Sequence, residues 1–187
     1  MPSERAVSGS ERLDSAILDL LPALRAFARS FERNPTDADD LVQDTLTKAI
    51  ASIHQYEPGT RIKSWLFTIM RNTFNTKYKQ RIRESPGLKD CASGRAYTAD
   101  TQEWSVRGME LQNALNKVPP DQREVLVLVG ILGTSYEEAA TICGCAMGTV
   151  KSRLNRGRHS LLIALGEDSI QSAVAGNTQI RTGFLST

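Results

Sequence analysis

Histidine, cysteine and aromatic side chains are all scarce in these 187 residues. The two histidines, His54 and His159, have no partner at metal-ligand spacing, so neither a metal site nor an imidazole proton relay is supported. Cys91, Cys143 and Cys145 form an odd set without a second pair at zinc-finger spacing. That excludes a disulfide framework and predicts buried free thiols in a reducing compartment. No apolar run approaches the roughly 18 residues of a membrane span. The N-terminus also lacks the basic-then-apolar order of a secretory signal, so a cytoplasmic protein without membrane contact is expected. Neither common glycine-rich phosphate loop occurs. The chain therefore does not read as an enzyme: no catalytic residues, no metal and no cofactor are expected. Period-two alternation is missing as well, which leaves an all-α fold.

Hydrophobic residues make up 40% of the chain and charged residues 24%, proportions that suit globular helical units. The net charge of +2 conceals strong segregation. From Asp37 to Glu57 there are five acidic residues and one Lys, whereas Arg61 to Arg83 holds seven basic residues and no acidic one. Such a chain presents one acidic and one basic surface, suited to two chemically different partners.

Helical periodicity organises nearly everything else. Leu13, Ile17, Leu20, Leu21, Leu24, Phe27 and Phe31 form a first amphipathic run, with a kink or fresh start expected at Pro22. Thr36 and Asp39 resemble a capping box opening the next helix, whose apolar face is Leu41, Val42, Thr45, Leu46, Ala49, Ile50 and Ile53. Its first turns carry Asp37, Asp39, Asp40, Gln43 and Asp44, where the helix dipole favours acid. A Pro-Gly loop from Tyr56 to Thr60 leads to a helix from about Ile62 to Arg83. Periodicity then lapses from Glu84 to Gly108, as in a flexible linker. It resumes over Met109 to Val118 and, after Pro119-Pro120, over Asp121 to Leu132, ended by Gly133. Residues from Glu167 onward read as a frayed tail. The expected architecture is two small helical domains on a flexible tether: residues 1–84, linker 85–108, domain 109–166 and tail 167–187.

The segment from Ser135 to His159 reads as a helix–turn–helix. Ser135 with Glu138 forms a capping box, Gly144 supplies the sharp exit, and a second helix begins near Met147. Val150, Leu154 and Leu161 face inward on that helix, while Lys151, Arg153, Arg156 and Arg158 project from it. A basic second helix after a Gly-containing turn is how a recognition helix meets a DNA major groove; a helical hairpin with a solvated basic face is the other reading. The upstream basic helix interleaves Trp65, Phe67, Phe74 and Tyr78 with Arg71, Asn72, Asn75 and Lys79. Cations can follow phosphates, aromatic faces can stack unpaired bases, and amides can read an extruded base. Trp65 and Phe74 also suit plain packing. The Asp cluster suits dipole stabilisation as well as it suits a protein docking surface.

Together, DADDLVQDTLTKAI, IKSWLFTIMRNTFNTKYKQRIR, VPPDQREVLVLV and SYEEAATICGCAMGTVKSRLNRGR resemble the extracytoplasmic-function (ECF) sigma factors of bacterial RNA polymerase. Within them they are most similar to the alphaproteobacterial general-stress-response branch. The resemblance spans about Leu13 to Leu165 and implies a division of labour. Asp39, Asp40, Gln43 and Asp44 would dock on core RNA polymerase. Lys63, Arg71, Asn72, Asn75, Tyr78 and Lys79 would engage the minus-ten element of promoter DNA, with Asn72 at the base-reading position and the His54–Arg61 loop forming the flipped-base pocket with the start of that helix. Thr149, Lys151, Ser152, Arg156 and Arg158 would contact the minus-thirty-five duplex. Ala146 departs from relatives that often place Ser before the recognition helix, which weakens the expected cap. The branch also implies control by a small helical anti-sigma factor. Two alternatives stand beside this one: a sigma-mimicking decoy that binds only the anti-sigma factor, and a simple helix–turn–helix regulator. The first leaves the basic helices without purpose, the second the acidic helix and the linker.

Overall fold

The computed structural model describes residues 15–56, 61–84 and 103–166, and every described element is helical. The tip of the Pro-Gly loop, most of the expected linker, Cys91 and the C-terminal tail lie outside the described residues. Helix α1 spans Leu21–Phe31 and starts afresh at Pro22, whose missing N–H costs nothing in a first turn. Leu24, Phe27 and Ala28, at helical spacing, are fully buried.

Helix α2, Pro35–Ala51, begins two residues earlier than the Thr36 box requires. Pro35 takes the first helical position, so Asn34 becomes the N-cap and its side chain accepts from Thr36 N at 2.9 Å. Ala38, Leu41, Val42, Thr45 and Ala49 form the buried stripe. Ile50 and Ile53, expected on that face, are exposed at 68% and 36%. Ala49 takes the inner position one turn beyond Thr45, which turns Ile50 outward, and Ile53 falls in a 3₁₀ turn, Ile53–Gln55.

Helix α3, Ile62–Glu84, buries Leu66, Phe67, Met70 and Thr73 against α1 and α2. The aromatic rings that could have stacked on bases largely stack on one another. Phe67 lies 4.8 Å from Phe27 between ring centroids, Phe74 4.7 Å from Phe31, and Trp65 5.3 Å from Tyr56. Such pairs contribute about 0.5–1.5 kcal/mol beyond the area they bury.

Helix α4, Glu103–Lys117, starts before the expected Met109, so the last residues assigned to the linker are helical. Helix α5, Pro120–Val125, widens into a π-helical turn, Leu126–Ile131, closed by Leu132 N donating to Val127 O at 2.9 Å. Arg123 through Leu128 are all buried, because this segment packs against both α1 and the last helix. Gly133 ends it at φ 65°. Helix α6, Tyr136–Cys143, carries the full capping box: Glu138 N donates to Ser135 Oγ at 3.1 Å, and Ser135 N to Glu138 Oε2 at 3.0 Å. Gly144 exits it left-handed, at φ 59°.

Helix α7, Met147–Leu165, has Ala146 as an N-cap that makes no side-chain bond. Gly157 is buried in its middle because α5 passes close by: a Cβ there would sit 3.1 Å from Gln122 O. Gly157→Leu should therefore lower stability by about 1–3 kcal/mol through overpacking, read by urea denaturation.

The two helical halves that the linker joins also pack directly on one another. Phe27, Leu41 and Leu66 of the first half share one apolar cluster with Leu115, Val125, Leu128, Ile142 and Val150 of the second. Helix α1 packs on α5 and its π turn, and α3 packs on α6.

Candidate nucleic-acid and polymerase interfaces

Helix α2 presents its acid to solvent. Asp39, Asp40 and Gln43 are exposed; Asp44 is half-buried and ion-paired with Lys77. Asp39 also approaches Arg25 at 3.5 Å, but both side chains are more than half exposed, so the pair contributes little. These carboxylates remain available to a basic partner.

The six residues expected on the minus-ten surface divide. Asn72, Tyr78 and Lys79 are exposed on α3, and Asn75 is half-buried. Arg71 instead points into the second half, where its Nε donates to Glu124 Oε1 at 2.6 Å. Glu124 is almost wholly covered. Burial pushes its carboxyl above the usual range, against the opposing pull of Arg71 and a hydrogen bond with Cys143. Lys63 donates to the Leu132 carbonyl, with its ammonium 5.8 Å from the Phe67 ring centre. Two neighbours extend the seam: Ser64 Oγ donates to Glu138 Oε1 at 3.0 Å, and Arg61 pairs with the same oxygen at 3.0 Å.

Glu138 thus serves the capping box and the seam at once. Its carboxyl is held below the ordinary value of 4.5, first by the Ser135 N–H, then by Ser64 and Arg61. A carboxylate depressed on folding contributes stability that is present above its unfolded pKa and lost as pH falls through the folded one. Glu138→Gln should therefore lower the Tm at neutral pH, and the gap to the native chain should close as pH falls below the carboxylate range. A gap independent of pH would remove the charge from this account.

Helix α7 offers the basic surface. Lys151, Ser152, Arg156 and Arg158 are exposed on it and Thr149 is half-buried. Arg153, expected to project with them, turns inward to Asp121 at 3.2 Å. Arg156 Nε reaches its own helix at the Ser152 carbonyl, 3.4 Å away. Cys143 is buried and burial pushes its thiol far up; Cys145 is only half-buried, beside Arg153.

A small cleft between α1, α4 and the π turn is lined by Leu111, Leu115, Ile131, Arg29 and Arg123. Ser30 at its wall spends its hydroxyl on the Phe27 carbonyl. Among the described residues, no group of three His, Cys, Asp or Glu side chains could hold a metal ion. None of the described helices is long and apolar enough to cross a membrane.

A three-helix acidic-and-basic unit followed by a helix–turn–helix unit defines the sigma-70 class of proteins. Residues 16–84 match the family model of Sigma-70 region 2, and residues 108–161 that of Sigma-70, region 4. The chain belongs to the ECF sigma factors of bacterial RNA polymerase, which are not enzymes. It directs polymerase to promoters through regions 2 and 4. It is 43% identical over 180 residues to the ECF RNA polymerase sigma factor EcfG of Rhodopseudomonas palustris (strain TIE-1), covering 90% of this chain and 98% of that protein. The fold matches the sigma factor RpoE of Bartonella quintana, solved in complex with the anti-sigma factor NepR. That match has a TM-score of 0.77 and 42% identity, and covers 85% of this chain and 99% of that one. It also matches CnrH, solved with the cytosolic domain of CnrY, with a TM-score of 0.64 and 29% identity over 88% of this chain and 95% of that one.

Missed in the sequence were Glu124, Glu138 as a seam residue, and the inward turn of Arg153. Glu124 meets its partner 53 positions away, Glu138 74 positions away. No local spacing signals either contact.

Proposed function

We propose that this sigma factor serves stress-response promoters, reading minus-ten with α3 and minus-thirty-five with α7 while α2 holds core polymerase. The observation that carries this is the exposure of opposite charge on separate helices of one chain: Asp39 and Asp40, beside Gln43, on α2, and Lys151, Arg156 and Arg158 on α7. Asn72 is the base-reading amide, with Asn75, Tyr78 and Lys79 beside it and Arg71 and Lys63 at the upstream end of the same helix. Ser152 and Thr149 complete the duplex contact. Binding energy spent on the non-template strand holds the duplex open, and polymerase performs the chemistry.

The domain limits that follow are 1–84 for polymerase and minus-ten binding and 109–166 for minus-thirty-five binding, with 85–108 linking them. The work is cytoplasmic. A small helical anti-sigma factor is the regulatory partner, in keeping with the RpoE–NepR complex of the Bartonella relative. A decoy that binds only that partner has no use for the exposed cations of α7. Run-off transcription separates the two: the purified chain plus sigma-free polymerase should start transcripts at a stress promoter, and a candidate anti-sigma protein should stop them. A holoenzyme that assembles without starting transcripts favours the decoy.

A further inference from the structure

Helix α7 buries Val150, Leu154 and Gly157 as its inner stripe. At about 3.6 residues per turn, the exposed arc opposite runs from Arg158 and Lys151 on one side to Arg156 on the other, where half-buried Thr149 begins the covered face. Lys151 leans toward the Tyr136 ring, 5.8 Å from its centre, which keeps it at the edge of the arc. Between these cations lie Gly148, Ser152, Asn155 and His159, all exposed. Ser152 Oγ donates to the Thr149 carbonyl at 3.0 Å, so its proton is spent on its own helix. Among the described residues nothing bonds the Asn155 amide. Gly148 needs no left-handed backbone, and a Cβ built there would meet nothing within 4 Å among the described residues. Glycine is the weakest helix former after proline, so the helix itself gains nothing from it. A position open on the protein side and bare of a side chain lets another backbone come close.

We propose that Asn155 reads an adenine of the minus-thirty-five element, in a major groove whose backbone approaches α7 at Gly148. The proposal rests on the minus-thirty-five assignment of α7. On its major-groove edge adenine sets an acceptor, N7, beside a donor, the N6 amino group, and a carboxamide offers the matching donor and acceptor in one plane. Guanine, with two acceptors, and thymine, with an acceptor beside a methyl group, each match only half of it. The cations that bound the arc are placed for the phosphates on either side of the groove, contacts that set register and carry no sequence information. From Gly148 to Asn155 is seven residues, about 10 Å of helix, against a groove about 12 Å wide. Close approach at the first position therefore brings the second within reach of base edges. Ala146, which makes no capping bond, leaves the first-turn N–H groups to a phosphate at the same end.

The test uses holoenzyme carrying the full chain and a panel of minus-thirty-five duplexes from a promoter that it footprints, each with one base pair changed. At one position the native chain should prefer adenine over every other base by about five- to 150-fold. In Asn155→Ala that preference should vanish at this position alone, with the slope of log affinity against log salt unchanged. Asn155→Asp should move the preference there toward cytosine, whose N4 amino group donates. Gly148→Ala should raise the Tm, because alanine is the better helix former, yet weaken binding to every duplex alike. Native preferences throughout the panel in Asn155→Ala overturn the proposal. So does a uniform loss with a shallower salt slope, which makes Asn155 a phosphate contact. Native affinity in Gly148→Ala overturns the close approach. If native holoenzyme shows no preference at any position of the panel, the assignment of α7 itself fails and the base contact falls with it.

Discussion

Asn72→Ala should abolish most promoter opening while leaving holoenzyme assembly intact. Asn72 is exposed on α3, and none of its neighbours on the seam covers it. An amide offers a donor and an acceptor on one planar group, which matches the Watson–Crick edge of an extruded base. A paired amide–base contact carries about 1–3 kcal/mol of discrimination. Its loss therefore lowers the open fraction about ten- to hundredfold, because melting must be repaid by such contacts. Permanganate reactivity of minus-ten thymines reads the open state directly. Polymerase affinity should not move, since Asp39, Asp40 and Gln43 lie on a different helix. Normal reactivity in the variant would remove Asn72 from the pocket.

Arg156→Ala should weaken binding to the minus-thirty-five duplex by about 1–3 kcal/mol. Arg156 lies on the exposed face of α7 and is bonded to its own helix, with no ion pair among the described residues to break before it meets DNA. If it neutralises a phosphate, the slope of log affinity against log salt falls by about one. If it reads a base, the slope stays and discrimination at one position relaxes instead. Arg153→Ala is the informative contrast. Arg153 is held by Asp121 at 3.2 Å within the protein, so its loss should lower thermal stability and leave the salt slope intact. Equal salt slopes for the native chain and Arg156→Ala, with equal affinity, would place Arg156 on the solvent side.

Much of the local structure was legible without coordinates. The Ser135–Glu138 box, the left-handed Gly144, the uncapped Ala146 and the fresh start at Pro22 are each decided within a few residues. Errors arose where two local signals competed. At the start of α2, Pro35 and Asn34 outbid the Thr36 box, because a proline is best placed at the first helical position. Ile50 looked like core by spacing and is exposed, since Ala49 takes the inner position at the end of α2. Phe67 and Phe74 looked able to stack on bases, yet they found Phe27 and Phe31.

The order of charged and apolar residues along the chain determined its helices, their caps, the helix–turn–helix and the separation of acidic from basic surfaces. Each of these depends on neighbours within one or two turns, where backbone geometry and the helix dipole act. Only the tertiary structure decided which cations are engaged across the fold. Lys63, Arg71 and Arg153 read in sequence like Lys79 and Arg156, but the first three are engaged within the protein. A cation's availability depends on which carboxylate or carbonyl the fold brings to it across tens of residues. That pairing follows from how two apolar faces meet, which no local spacing encodes.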